Sequence, residues 1–175
     1  IKKPRGAKKM TGQTGEQLYI EGYGRKIKSC AFSGHRLTGE DFDEKKLEEA
    51  VRALAREETR TFYCGMAEGF DLYAAECVAK LKREYPSLRL VGCIPCVGQE
   101  KNYGESEKEK YFRLLDACDV KVILADKYYR GCMLKRNDYM AERADALIAY
   151  CRRETGGTAY TVKCFLRRNK PVFQV

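Results

Sequence analysis

The sequence predicts an α/β domain of Rossmann-like type, a three-layer sandwich around a mostly parallel six-stranded sheet. Three observations predict it. Short apolar segments at residues 27–32, 61–63, 88–93, 120–124, 146–150 and 171–175 alternate with stretches of helical period, which is the pattern of βαβ units. Those segments are apolar almost throughout rather than strictly alternating, as strands covered on both faces are. The distinctive glycine-bearing turns follow the strands, where an open parallel sheet binds its ligands. Right-handed crossovers then put helices on both sides of the sheet.

Residues 1–24 are polar and glycine-rich, with a short apolar patch at Leu18, Tyr19 and Ile20. They read as a basic arm or a short added strand before a single domain at 25–175. Strand 27–32 runs into Ser33-Gly34-His35-Arg36-Leu37-Thr38-Gly39. Asp43 or Asp41 then caps a helix with Leu47, Val51 and Leu54 on one face. Strand 61–63 leads through a glycine turn to a helix at 72–84, which stops at Tyr85-Pro86. Strand 88–93 is followed by the polar loop Gly98-Gln99-Glu100-Lys101-Asn102-Tyr103 and a helix through Tyr111, Leu114, Leu115 and Cys118. After strand 120–124, residues 130–137 read as irregular and basic, and a short helix reaches about Arg143. Strand 146–150, the turn Glu154-Thr155-Gly156-Gly157-Thr158, a helix with Ala159, Val162, Phe165 and Leu166, and strand 171–175 complete the chain.

The stretch Cys64-Gly65-Met66-Ala67-Glu68-Gly69-Phe70-Asp71 organises the rest. Small residues at a strand-to-helix turn leave backbone N–H groups bare, and the positive helix end favours an anion there. A phosphate fits this description. Equally, Gly65 and Gly69 could serve only a tight turn with close helix–sheet packing. Ser33, Gly34, His35 and Arg36 after the first strand, and Thr155, Gly156, Gly157 and Thr158 after the fifth, are expected at the same rim. Arg36 there suits bidentate contact with a phosphate and Thr158 a hydroxyl contact. His35, the only histidine, reads as a ligand contact or general base, or else as a locally bonded turn residue. Asp71 could cap its helix or bind a ribose hydroxyl. Arg136 and Asn137 can reach the rim, or form a solvated basic surface. There is no G-x-G-x-x-G after the first strand and no GxxxxGK[ST] anywhere, which disfavours hydride transfer on a dinucleotide and P-loop hydrolysis.

Composition narrows the class further. Of 175 residues, 44% are hydrophobic and 34% charged, as in a water-soluble globular domain. No apolar run is long enough to span a bilayer and no signal-peptide pattern opens the chain, so a cytoplasmic location without membrane partners is expected. The net charge is +9, with Lys2, Lys3, Arg5, Lys8 and Lys9 concentrated in the arm. The nine cysteines fall mostly inside apolar patterns, where the thiol acts as a small hydrophobe. Cys93-Ile94-Pro95-Cys96 has ligand-like spacing, but no second CxxC or nearby histidine completes a metal site. No metal and no required cofactor are expected.

Taken together, these stretches resemble the SLOG superfamily, the Rossmann-like group that includes the DprA/Smf proteins and the LOG phosphoribohydrolases. Gly65-Met66-Ala67-Glu68-Gly69-Phe70-Asp71 is similar to the G-M-A-x-G-I-D motif of DprA, and Ser33-Gly34-His35-Arg36 stands where that family has G-S-R. Arg136-Asn137 resembles its R-N pair, and Thr155-Gly156-Gly157-Thr158 its later glycine turn. The YpsA-like branch is more similar still, through Asp71-Leu72-Tyr73-Ala74-Ala75-Glu76, Glu84-Tyr85-Pro86 and Gln99-Glu100-Lys101-Asn102-Tyr103. The resemblance covers residues 27–175 and implies that Ser33, Gly34, His35, Arg36, Gly65, Met66, Ala67, Gly69, Asp71, Arg136, Asn137 and 155–158 line a cleft for a nucleotide-derived ligand.

That ligand is expected to be ADP-ribose- or NAD-like, bound by a sensor or regulator. The LOG enzymes use P-G-G-x-G-T-x-x-E. Here the proline and the inserted glycine are missing, and Thr161 stands three residues after Thr158, so the resemblance points away from catalysis. Two further readings stand behind it. One is DprA-like single-stranded DNA binding, with Tyr128, Tyr129, Arg130, Lys135 and Arg136 as the basic, aromatic surface. The other is nucleotide N-glycoside hydrolysis assisted by Glu154 or Glu76. A homodimer is suggested by family analogy alone.

Overall fold

Alternate residues of the central strands enter opposite cores. In strand β2 (Ser29–Gly34), Cys30 and Phe32 join one buried cluster while Ala31 joins the other. Strand β6 (Ala146–Tyr150) divides in the same way, with Ala146, Ile148 and Tyr150 on one side and Leu147 and Ala149 on the other. Apolar residues at both parities explain why these strands read as continuous hydrophobic runs. The structure, a computed structural model, describes residues 7–9 and 26–175.

Within those residues the order is β1 (Ala7–Lys9), β2, α1 (Glu44–Arg56), β3 (Thr61–Cys64), α2 (Phe70–Leu81), β4 (Arg89–Ile94), α3 (Glu105–Ala117), β5 (Val120–Ile123), α4 (Cys132–Arg143), β6, α5 (Gly157–Arg167) and β7 (Val172–Gln174). A short 3-10 turn, Gln99–Asn102, precedes α3. The sheet runs β1-β7-β6-β2-β3-β4-β5 with every pairing parallel. All six expected strands are present. The short added strand is β1 on β7, while the rest of the expected arm at 1–24, including Leu18, Tyr19 and Ile20, lies outside the described residues.

Helices α1, α2 and α3 pack side by side over one core, where Phe32 and Phe62 stack at 5.6 Å beside Leu47, Val51, Leu72, Leu90 and Leu114. Helices α4 and α5 cover the other, around Leu147, Met140, Val162 and Phe165. Truncating a ring such as Phe32 to alanine typically costs about 3–5 kcal/mol in a core of this kind.

Of the two caps expected for α1, Asp43 is the one used, its carboxylate accepting the Lys45 N–H at 2.9 Å. Two expectations about the elements need correction. Arg136 and Asn137 are not in an irregular stretch: α4 begins at Cys132, and its buried stripe of Cys132, Arg136, Asn137, Met140 and Ala141 has two polar residues in five. An apolar-periodicity search misses such a stripe. Strand β5 is not covered on both faces. It forms one edge of the sheet, with Val120 and Ile123 exposed.

The chain leaves β2 toward β3, β4 and β5, then returns to lay down β6 and β7 on β2's other side. Strand order therefore reverses between β2 and β6, and the crevice outside their carboxyl ends is the switch point where ligands bind in open α/β sheets.

Candidate functional site

The turns after β2 and β3 are pressed together, and the pressing dictates their glycines. A Cβ on Gly34 would lie 2.2 Å from the Phe70 ring, and one on Gly69 would lie 2.0 Å from the Arg36 carbonyl oxygen. Gly69 also has φ +83°, and Met66 adopts φ +56°, a left-handed geometry uncommon for a side-chain-bearing residue. The Phe70 N–H donates to the His35 carbonyl at 3.2 Å, tying the two turns.

The α2 corner differs from the bare anion seat the sequence suggests, because the protein supplies its own anion. Asp71 does not cap the helix. Gly69 holds that position, and the buried Asp71 carboxylate reaches back to accept the Ala67 N–H at 3.3 Å and the Gly34 N–H. Burial pushes the Asp71 carboxyl up to about 6, against the lowering effect of the nearby Arg136 guanidinium and those two amides.

Arg136 is itself buried. Its guanidinium donates to the carbonyls of Gly65 and Cys93 and, through Nε, to Asn137 Oδ1 at 2.8 Å. A Cβ on Gly65 would lie 2.3 Å from Arg136 Nη1, so the glycine makes room for the arginine. Gln99 donates to the same Gly65 carbonyl at 3.0 Å, and its own Oε1 is buried without a partner among the described residues. Tyr103 closes the group by donating to the Met66 carbonyl at 3.2 Å. One arginine thus ties the carboxyl ends of β3 and β4 to α4.

The α5 corner is built differently. Thr155, Gly156 and Gly157 are exposed and Thr158 is buried at the first turn of the helix. Gly156 has φ +95° and, among the described residues, no atom lies within 4 Å of the position its Cβ would take and no side chain caps α5. The first turn carries no acidic residue, so the amides and positive dipole of the helix end face open space. Asn137 Nδ2 stands 4.0 Å from the Cβ position of Gly157, which connects this corner, through Arg136, to Gly65.

Over the crevice itself lies an aromatic and polar latch. Tyr150 donates from its hydroxyl to Asp41 Oδ1 at 2.7 Å and accepts the Gly39 N–H at 3.0 Å. Arg152 pairs with Asp41, lies 4.5 Å over the Tyr150 ring, and donates its backbone N–H to His35 Nε2 at 2.8 Å. His35 also stands edge-on to Tyr150 at 5.6 Å. Burial first, then Arg153 and Arg152, hold the His35 imidazole below its ordinary pKa. Its Nε2 is thus engaged within the fold by the Arg152 N–H.

The structure thus gathers Gly34, Gly65, Gly69, Gly156 and Gly157 on one rim, with Ser33 buried and Arg36 exposed beside them. Sequence reasoning missed Gln99 as a site residue and gave Asp41 and Tyr150 no role there. Gln99 lies within the Gln99–Tyr103 motif shared with the YpsA-like branch, whereas Tyr150 has the pattern of any apolar strand residue. Glu76 is held on α2 by Arg113 at 2.9 Å and Lys110 at 3.4 Å, about 9 Å along the helix from its start at the rim. Cys96 contacts the Cys132 thiol rather than Cys93, and no cluster of metal ligands occurs among the described residues. No described helix is long and apolar enough to cross a membrane.

A wholly parallel sheet, helices on both faces and a glycine-lined rim at the switch point define a Rossmann-like α/β domain. The chain belongs to the YpsA (YspA SLOG) family, whose model matches residues 18–171. It is 27% identical over 150 residues to a UPF0398 protein of Halalkalibacterium halodurans, a match spanning 84% of this chain and 79% of that protein. It is 36% identical over 98 residues to a UPF0398 protein of Bacillus cereus strain B4264, spanning 54% and 53% of the two. Among solved structures it is similar to DNA processing protein A of Helicobacter pylori, with a TM-score of 0.62, 18% identity and coverage of 85% of this chain and 65% of that one. It is also similar to the Streptococcus pneumoniae protein of that name, at TM-score 0.58, 17% identity, and 85% and 50% coverage. The chain thus spans about half the length of the S. pneumoniae protein, whereas the B. cereus alignment takes in about half of each sequence. At these identities the structural matches establish the fold.

Proposed function

We propose that this chain binds a nucleotide-derived ligand, of ADP-ribose or NAD type, with a phosphate on the α5 corner, and that it acts as a sensor rather than a catalyst. One observation carries the reading. Of the two glycine corners at the rim, the α2 corner is already satisfied by Asp71, whereas the α5 corner is exposed, uncapped and free of acidic residues in its first turn. An anion placed there meets backbone donors and a positive helix end, with the exposed Arg36 and Arg153 available for charge-assisted contacts. Glu76, one carboxylate considered for glycoside cleavage, is committed to Arg113 and Lys110 on the side of α2.

Isothermal titration with ADP-ribose, NAD, AMP and cyclic nucleotides tests this. Binding by at least one, weakened about tenfold by Gly156→Ala, supports it, since losing one charge-assisted contact is worth about 1.5–3 kcal/mol. Silence across the panel overturns it.

A second reading is favoured by a separate observation. Tyr128 and Tyr129 are exposed beside Lys127 and Arg130 in the loop after β5, a pairing of stacking rings and cations that suits single-stranded nucleic acid. The H. pylori neighbour is described as binding single-stranded DNA. A salt-dependent gel shift lost in Tyr128→Ala/Tyr129→Ala supports this reading. A shift unchanged by the double variant removes it.

A further inference from the structure

The edge of the sheet at β5 exposes apolar side chains, although the strand is only four residues long and carries one lysine. It pairs with β4 on one side and, among the described residues, with no strand on the other. Open edges are ordinarily short, charged or bulged to prevent pairing with another chain. This one shows Val120 at 42% and Ile123 at 57% exposure, and Phe112 of the preceding helix α3 is 50% exposed. Only Lys121, paired with Asp116 at 3.1 Å, carries charge on the strand.

We propose that this edge is a self-association surface, on which a second copy of the chain pairs its β5 antiparallel to the first across a two-fold axis. The partner is identified by self-complementarity, which a two-fold interface requires. An axis perpendicular to the sheet keeps each residue on its own face, so antiparallel partners must share parity. Centring the axis on Val122 puts Val122 opposite its own copy, Val120 opposite Leu124, and Lys121 opposite Ile123. Centring it on Lys121 instead would set two lysines against each other, which is destabilising.

Helix α3 fits the same axis independently. Lys108, Phe112 and Asp116 recur every four residues and share one helix face. About Phe112 this stripe is its own antiparallel complement: Phe112 meets Phe112 of the second copy, and Lys108 meets Asp116 twice. The two centres lie within about 4 Å of one height. Phe112 is about 9 Å along the helix from the turn at Cys118, and Val122 is about 13 Å along the strand from the same turn. One axis therefore serves both elements and joins two sheets into one continuous sheet.

Sedimentation equilibrium of the full chain, from about 1 to about 100 μM, tests the proposal. A monomer–dimer equilibrium is expected, and a strictly monomeric chain overturns it. Ile123→Lys places lysine against Lys121 of the second copy twice, and should raise the dissociation constant at least about tenfold with an unchanged circular-dichroism melt. A dimer indifferent to Ile123→Lys lies elsewhere and overturns the proposal. Adding Lys121→Glu to Ile123→Lys sets opposite charges across the axis and should restore the dimer. A double variant that stays monomeric overturns the register and the proposal with it.

Discussion

Asp71 is the residue whose chemistry is most altered by its place in the fold. A carboxyl held at about 6 rather than 3.8 keeps its proton more tightly in the folded protein than in the unfolded chain. Its stabilising contribution is therefore complete below about pH 3.8 and is lost as pH rises through about 6. Asparagine at this position keeps the shape and does not titrate. Denaturant titrations of both proteins should show Asp71→Asn gaining on the parent by up to about 3 kcal/mol between about pH 4 and pH 7. A difference that stays flat across that range removes the buried-carboxyl argument. Arg136 carries the complementary prediction. Arg136→Met leaves the Gly65 and Cys93 carbonyls without their guanidinium donor and removes the cation that lowers the Asp71 pKa, a loss of about 1–3 kcal/mol for each buried acceptor left unmet. Because the guanidinium favours the charged form of Asp71, Asp71→Asn should recover part of that loss in the double variant. Strict additivity of the two changes would show that the guanidinium serves only the carbonyls.

At the scale of the element, the three turns of the rim use glycine for two separable reasons. Gly34 is needed for space, its Cβ position lying 2.2 Å from the Phe70 ring, whereas Gly156 is needed for backbone freedom at φ +95° with nothing nearby. Gly156→Ala should therefore cost about 1–2 kcal/mol of backbone strain, which in a domain of this size lowers Tm by about 2–4 °C per kcal/mol. Gly34→Ala must move a packed ring and should cost more than Gly156→Ala in the same melt. Equal shifts would contradict the close packing of the β2 and β3 turns. The same contrast explains what the sequence made legible. Strand-to-helix turns announce themselves because glycine, strand composition and helical period coincide within eight residues, as at 64–71. Helix α4 concealed its start because its inward stripe places Arg136 and Asn137 where apolar residues are expected. The committed state of the α2 corner was not legible either. Whether Asp71 points along the helix or back to Ala67 is decided by Gly69's geometry and by Arg136, a residue 65 positions further on.

For the molecule as a whole, the switch point is where two half-sheets built by separate stretches of chain must be held in register. β2 contacts both β3 and β6, but the loop after β2 is fastened chiefly to the β6 side. Tyr150 takes the Gly39 N–H and gives its proton to Asp41, while Arg152 reaches Asp41, His35 and, through Nη2, the Val175 carbonyl at 3.0 Å. This latch holds residues 35–42 between the Gly69 turn and the end of β6. Tyr150→Phe removes two hydrogen bonds while keeping the ring stacked 6.0 Å from Phe70 and edge-on to Phe42 at 5.2 Å. The global cost should stay at about 1–3 kcal/mol, the worth of two such bonds. The local effect should be larger in kind. The Gly39 amide loses its acceptor and should exchange with solvent much faster than the amides of β2 and β6, whose ladder is untouched. Amide exchange read residue by residue settles the matter. Acceleration confined to the loop identifies the Tyr150 hydroxyl as the fastening of the rim, and uniform acceleration would show that the hydroxyl supports the sheet instead.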